Sequence, residues 1–236
     1  MATFYTPKLV TDGLVLCLDA GNTKSYPGSG TTWTDISRNS NTGTLSGGPT
    51  FSSANGGSIV LDGTDDYVFI TNPLTLKNQN FTVSAWVNPL AQNAAIIAMI
   101  DFDHHLTQAW VLQSEDATTN RYYYFAWHDG TQYQPVNGFG AGKGIQLTTS
   151  VWQNIVYSKS GTTLIGYING SQIYTPSAAS NANVNYGSNI NLNIGKWGLT
   201  GRALKGNMSN VQIYNRALSA AEVRQNYHAT KGRYGL

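Results

Sequence analysis

Glycosidic-bond hydrolysis demands two carboxylates about 5–9.5 Å apart, one held protonated as acid and one charged as base or nucleophile. This 236-residue chain owns two glutamates, Glu115 and Glu222. Glu222 follows Ser219 at the spacing of a helix capping box and is occupied by that role. Glu115 stands beside Asp116 in a stretch read as loop. Asp101 and Asp103 alternate, so on a strand they would share a face, with His104 and His105 next in line; a solvated loop cluster is the plainer reading. Asp62, Asp65 and Asp66 around Gly63 offer the oxygens that calcium takes from carboxylates, as do Asp19 and Asp35. The same Asp-Gly-x-Asp-Asp string is also ordinary turn chemistry, in which Asp binds its own backbone and Gly supplies positive φ. His104, His105 and His128 lack the spacing of a transition-metal site. The run Gly138-Phe-Gly-Ala-Gly-Lys-Gly144 has the wrong spacing for a phosphate loop and no Ser or Thr after Lys143, and no Gly-x-Ser-x-Gly elbow supports a serine nucleophile. Cys17, the one cysteine, excludes an intramolecular disulfide and a cysteine-built zinc site, and its place in an apolar run reads as a buried strand thiol.

Aromatic side chains remain as carriers of binding. From Tyr122 to His128 both faces of an expected strand carry rings: Tyr123, Phe125 and Trp127 on one side, Tyr122 and Tyr124 on the other. Burying one set leaves the other for a partner, and sugar rings and protein surfaces both favour such residues. The candidate glycan contact is the hairpin around Asp129-Gly130, where Trp127, His128 and Tyr133 combine a stacking plane with donors and acceptors. The opposing reading makes Trp127, Tyr123 and Phe125 a buried core stripe. The residues leave glycan and protein open as partners.

The elements that would position these groups follow from period-two alternation. Phe81, Val83, Ala85 and Val87 alternate with Thr82, Ser84 and Trp86, and Ile190 to Ile194 alternates with Asn191 and Asn193, so both segments read as strands with one buried face. Asn169-Gly170, between β-rich runs from Leu164 to Tyr174, and Asp129-Gly130 read as type I′ hairpin turns. Ser219 and Glu222, with Leu218 and Val223 as a hydrophobic staple, predict one short helix from about Ala220 to about Ala229. The Gly-, Ser-, Thr- and Asn-rich segment 21–57 is too long for a structureless loop in a compact domain and should contain short strands or ordered turns. Charged residues are 11% of the chain, against about a quarter in ordinary globular proteins, and the net charge is +2 without a basic cluster, which excludes nucleic acid as a partner. The apolar run Leu14 to Leu18 is too short to span a bilayer, no export signal is visible, and residues 1–236 read as one domain.

Four motifs carry a resemblance: Ser58-Ile-Val-Leu-Asp-Gly-Thr-Asp-Asp-Tyr-Val68; Phe81-Thr-Val-Ser-Ala-Trp-Val87; Trp152-Gln-Asn-Ile-Val-Tyr157 with Tyr167-Ile-Asn-Gly170; and Gly206-Asn-Met-Ser-Asn-Val-Gln-Ile-Tyr-Asn-Arg-Ala-Leu-Ser-Ala-Ala-Glu222. In content and order the chain resembles the laminin-G-like, concanavalin-A-like jelly-roll modules. The opening, Gly13 to Tyr26 followed by Trp33-Thr-Asp-Ile-Ser37, is similar to a version found in structural proteins of tailed phages, marine and cyanobacterial ones in particular. The resemblance implies an all-β, two-sheet antiparallel jelly-roll sandwich with one C-terminal helix. The closely spaced Glu-x-Asp-x-x-Glu pattern of hydrolases on this fold is absent. The expectation is therefore a non-enzymatic virion component, a capsid decoration or fibre module at the virion surface. Its expected partners are capsid or tail proteins and a cell-surface glycan, and its expected state is a homo-oligomer, a trimer by analogy with phage fibres. The resemblance names no certain cofactor beyond calcium as a candidate. A free cytosolic lectin-like protein and a polysaccharide-cleaving enzyme are the alternatives.

Overall fold

The computed structural model describes residues 7–71, 73, 77–91, 94–101, 108–117, 120–134, 144–174, 181–187, 190–198 and 202–236. Along the described residues the strands are β1 (Leu14–Asp19), β2 (Thr32–Trp33), β3 (Gly43–Ser46), β4 (Thr50–Ser52), β5 (Ser58–Asp62), β6 (Tyr67–Thr71), β7 (Phe81–Pro89), β8 (Ala95–Asp101), β9 (Gln108–Ala117), β10 (Asn120–His128), β11 (Tyr133–Gln134), β12 (Ile145–Gln146), β13 (Gln153–Ser160), β14 (Thr163–Ile168), β15 (Ser171–Tyr174), β16 (Ile190–Ile194) and β17 (Lys205–Tyr214). A helix, α1 (Ala220–Thr230), and a 3-10 turn, Lys231–Tyr234, close the chain. One sheet runs β15-β14-β13-β7-β17-β5-β4, with β1 also on β17; the other runs β11-β10-β9-β8-β16-β6-β3-β2, with β12 also on β10. Every pairing is antiparallel. The architecture is the expected two-sheet sandwich, and segment 21–57 does hold short strands, β2 to β4.

Alternation decides what lies between the sheets. Phe81, Val83, Ala85 and Val87 of β7, Ile155 and Tyr157 of β13, and Tyr123, Phe125 and Trp127 of β10 all enter one core cluster. Rings interlock inside it: Phe81 stacks on Trp110 at 5.6 Å, and Phe125 lies 5.6 Å from Trp110 and 5.8 Å from Tyr157. Each such side chain removed from water contributes about 1.5–3 kcal/mol, so this dry layer dominates the fold's stability.

The outer face of the β7 sheet is covered by the C-terminal segment. Ser219 accepts the Glu222 N–H and Glu222 accepts the Ser219 N–H, the reciprocal capping box read from the sequence, which starts α1. Leu218 and Val223 pack with Val156, Tyr167 and Tyr214. Trp86, on the outward side of β7, stacks on Tyr234 at 3.9 Å and donates its indole N–H to Thr230 Oγ1 at 2.9 Å. Arg233 pairs with the buried Asp19 at 2.6 Å, tying the end of the chain to β1. The β14–β15 hairpin turns on Asn169 (φ 50°) and Gly170 (φ 77°) as predicted. A Cβ at Gly170 would stand 2.9 Å from the Tyr227 ring, so the turn needs glycine for its conformation and for its approach to the helix.

The other predicted tight turn is a different structure. His128 pairs with Tyr133, leaving the four residues Asp129 to Gln132 as the loop, where a two-residue turn was expected. Asp129 explains the change: its Oδ1 accepts the N–H groups of Thr131 (2.8 Å) and Gln132 (2.9 Å), and its Oδ2 accepts the Gln134 amide (2.8 Å). Those bonds, the one from Gln132 foremost, hold the Asp129 carboxyl well below the usual carboxylate range.

Arg216 binds both oxygens of Glu222, at 2.6 and 3.1 Å, and this pairing lowers the Glu222 carboxyl to about 2 from an ordinary 4.5. A depressed folded-state value means stability that is complete above about pH 4.5 and lost as pH falls toward about 2. Thermal melts of Glu222→Gln against wild type should show a lower melting temperature at neutral pH and a gap that closes over that acid window. A gap independent of pH would contradict the pairing.

Candidate functional site

No helix covers the outer face of the β8–β9–β10 region among the described residues. Ala98 of β8 pairs with Val111 of β9, which pairs with Ala126 of β10, so three small or medium side chains stand in a row on that face. In the adjacent row Gln113 pairs with Tyr124. A row of two alanines and a valine beside a row of larger groups leaves a hollow. Tyr133 of β11 and Trp197 of the loop after β16 pack against Ala98, Ile100, Val111, Tyr124 and Ala126. The resulting pocket has a volume of about 140 Å³ and is lined by Val111, Gln113, Tyr124, Ala126, Tyr133, Trp197 and Arg202. Pockets that enclose drug-sized ligands measure about 300–1,000 Å³, so this one seats a single ring or side chain rather than an oligomer.

The loop that supplies Trp197 and Arg202 is pinned at both ends. Gly195 (φ 86°) donates its N–H to Ile96 O at 2.9 Å and accepts the Leu204 N–H at 2.7 Å. A Cβ at Gly195 would come within 2.4 Å of Leu61, so only glycine lets the chain turn here. The Arg202 guanidinium lies over the Trp197 ring, 4.8 Å from its centroid, a cation–π contact that fixes both side chains. Gln113 is 3% exposed, and its Oε1 has no hydrogen-bond partner; nor has Arg202 Nη1. Two of the eight buried side-chain polar atoms that lack a partner among the described residues thus belong to residues lining this pocket. The site thus combines an aromatic plane, one open acceptor and one open cationic donor.

The predicted glycan contact, Trp127, His128 and Tyr133, is brought together only in part. His128 and Tyr133 meet edge to face at 5.1 Å, and His128 Nδ1 accepts the Gly130 N–H, which leaves the neutral ring's proton on Nε2. Trp127 is corrected: it is 0% exposed and belongs to the core cluster, because it shares the inward face with Tyr123 and Phe125. Its ring stacks against the buried Lys159 ammonium, 4.8 Å away, and cannot serve as a plane for sugar. Lys159 donates to Gln79 O at 2.7 Å and also to Ala182 O, and burial brings the amine down to about 8. The outward ring that does line the pocket is Tyr124.

The carboxylates of the β5–β6 turn bind its backbone. Asp62, Asp65 and Asp66 can each place one ligand oxygen within 4.8 Å of the others. Asp62 Oδ1 accepts the Thr64 N–H at 2.7 Å and Asp66 Oδ2 accepts the Asp62 N–H at 3.0 Å. The first bond leads in holding the Asp62 carboxyl below its ordinary value, while burial pushes that of Asp66 up. Calcium takes six to eight oxygens, so three carboxylates of which two are committed to backbone N–H groups fit a turn better than a calcium cage. Asp35 binds the N–H groups of Cys17, Ser37 and Asn41, and Asp19 binds Arg233. Burial pushes the Cys17 thiol up to about 12, which makes it inert. Asp103, His104, His105 and residues 138–143 of the glycine-rich run lie outside the described residues.

Residues 62–224, more than half of the chain, match a laminin G-type family model described as the concanavalin A-like lectin/glucanases superfamily. In fold the chain is similar to domain 4 of an extracellular arabinanase from Geobacillus stearothermophilus, solved with arabinotriose, at 17% identity over 91% of this chain and 98% of that one, TM-score 0.67. It is similar also to the binding domain of botulinum neurotoxin DC in complex with rat synaptotagmin II, at 13% identity over 94% of this chain and 52% of that one, TM-score 0.68. A Trypanosoma rangeli sialidase with sialic acid gives 14% identity over 94% of this chain and 33% of that one, TM-score 0.64. The chain therefore spans about half of the toxin domain and a third of the sialidase. At these identities the likeness is one of fold. No curated protein sequence matches significantly.

Millimolar calcium should leave the melting temperature unchanged, whereas Asp66→Ala should lower it with or without calcium, as measured by differential scanning fluorimetry. A calcium-dependent rise abolished in Asp66→Ala would place calcium at these carboxylates.

Proposed function

Because the chain belongs to the concanavalin A-like lectin/glucanases superfamily, whose name spans binders and hydrolases, we propose that it is a non-catalytic sugar-binding module using the pocket under Trp197. The observation that carries this reading is the pocket's make-up: the Trp197 plane and the open acceptor of Gln113 converge over a small-residue floor. Sugars need those two features, a ring face for stacking and partners for hydroxyls. A hydrolase needs two carboxylates, and among the described residues lining the pocket there is none. Glu222 is held by Ser219 and Arg216 on the opposite sheet's side.

Size sets the affinity. A monosaccharide of about a dozen heavy atoms, at about 0.3 kcal/mol per atom, gains about 4 kcal/mol, a millimolar dissociation constant. Such a site works when many copies engage together. The proposal therefore extends to a homo-oligomer, a trimer in the simplest case, carried as a decoration or fibre module on a phage particle and adhering to a cell-surface glycan. The phage-like opening, Gly13 to Tyr26 and Trp33 to Ser37, supports that setting. A free lectin-like protein is the second reading, favoured by the same pocket.

Saturation-transfer NMR with a panel of neutral and acidic monosaccharides should detect at least one millimolar binder. Trp197→Ala should weaken it by about two- to tenfold, since stacking contributes about 0.5–1.5 kcal/mol, while the core keeps its melting temperature within a few degrees. Absence of any binder, or binding unchanged in Trp197→Ala, would overturn the reading.

A further inference from the structure

Arg202 is held in a costly position by the structure around it. Its φ of 50° lies in the left-handed region that non-glycine residues avoid. The conformation is held from outside, since its carbonyl accepts the Ala95 N–H at 3.0 Å and Leu204 binds Gly195 just beyond. Backbone strain that the surroundings maintain clusters at functional sites. The side chain adds to the cost. Among the described residues no ion pair involves Arg202, although Arg216 and Arg233 each have carboxylate partners. Its Nη1 is buried without a hydrogen-bond partner, and among the described residues its charge is met by the Trp197 ring. A buried N–H of a cation left without an acceptor is costly until one meets it.

Resting on the sugar-binding reading, we propose that the pocket selects a pyranose bearing a carboxylate, as in uronic and sialic acids, with Arg202 as the residue that reads the acid. Three complementary features define the ligand. A ring face stacks on the side of Trp197 that Arg202 does not occupy. A hydroxyl donates to Gln113 Oε1, the acceptor left open on the pocket wall. A planar carboxylate meets the planar guanidinium fork, the geometry in which arginine binds most strongly. Stacking of the guanidinium on Trp197 presents that fork already oriented, so little side-chain entropy is lost on binding. A pocket of about 140 Å³ seats one such ring, with the exocyclic chains of a larger acid sugar left outside it.

The test compares each acid with its own methyl ester on the full chain: galacturonic acid and N-acetylneuraminic acid, by calorimetry or NMR titration, with galactose 6-sulfate as a further arm. One charge-assisted hydrogen-bonded pair corresponds to about tenfold or more in affinity. The acids should therefore bind about tenfold tighter than the esters at low salt, with the advantage shrinking as salt screens the pair. Arg202→Gln should erase the difference while ester binding persists, and Arg202→Lys should recover only part of it, because an ammonium cannot form the fork. Equal affinity of acid and ester in wild type, or a preference for the sulfated ring, overturns carboxylate selection and leaves the sugar site standing. No binding by acids, esters or neutral sugars overturns both. The wild-type comparison decides the matter even if Arg202→Gln fails to fold.

Discussion

A β-sandwich hides one face of each sheet by packing the two together, and the pleat then leaves every second side chain pointing outward. What happens to those two outer faces is the constraint on which this molecule depends. On the β7 sheet the problem is solved by α1 and the 3-10 turn after it, with Trp86 sealed between β7 and the rings of Tyr227 and Tyr234. On the β8–β9–β10 face a smaller cluster around Val111 and Ala126 is covered in part by Tyr133 and Trp197. The uncovered remainder is the pocket. Among the described residues one outer face is thus sealed by the C-terminal segment, and the other keeps a pocket.

The covered face shows the strength of local sequence signals. Ser219, Glu222, Leu218 and Val223 announce the helix through short-range spacing, and the structure places its start where they do. Alternation likewise assigns Phe81, Val83, Ala85 and Val87 to the core, and Tyr123, Phe125 and Trp127 to one face. What alternation lacks is a sign: it separates the two faces of β10 without saying which is inward. Trp127 and Tyr124 were both legible as strand residues, and only the packing of β13, β7 and β10 against one another decides that Trp127 meets Lys159 while Tyr124 lines the pocket.

Trp197 and Arg202 were hidden for a different reason. They sit on a loop with no period, between Gly195 and Leu204, and they reach the site through the tertiary pairing of β16 with β8. Gly195 and Gly198, flanking Lys196-Trp197, are the one local hint of a tight turn presenting a ring. The Asp129 loop departs from its dipeptide signature, which ignores side chains: Asp129 accepts from four groups ahead of it in the chain and stretches the turn to four residues. Sequence motifs built on backbone conformation alone miss such competition.

The central claim is that recognition happens on the face left uncovered, at Trp197, while the other rings serve the fold. Indole N–H signals report it directly, since the chain has six tryptophans that can be assigned one by one by substitution. Saturation with a bound sugar should shift the Trp197 signal and leave those of Trp127 and Trp86 in place. A shift at Trp86 or Trp152, with Trp197 unmoved, would put the ligand on the helix-covered sheet and contradict the account.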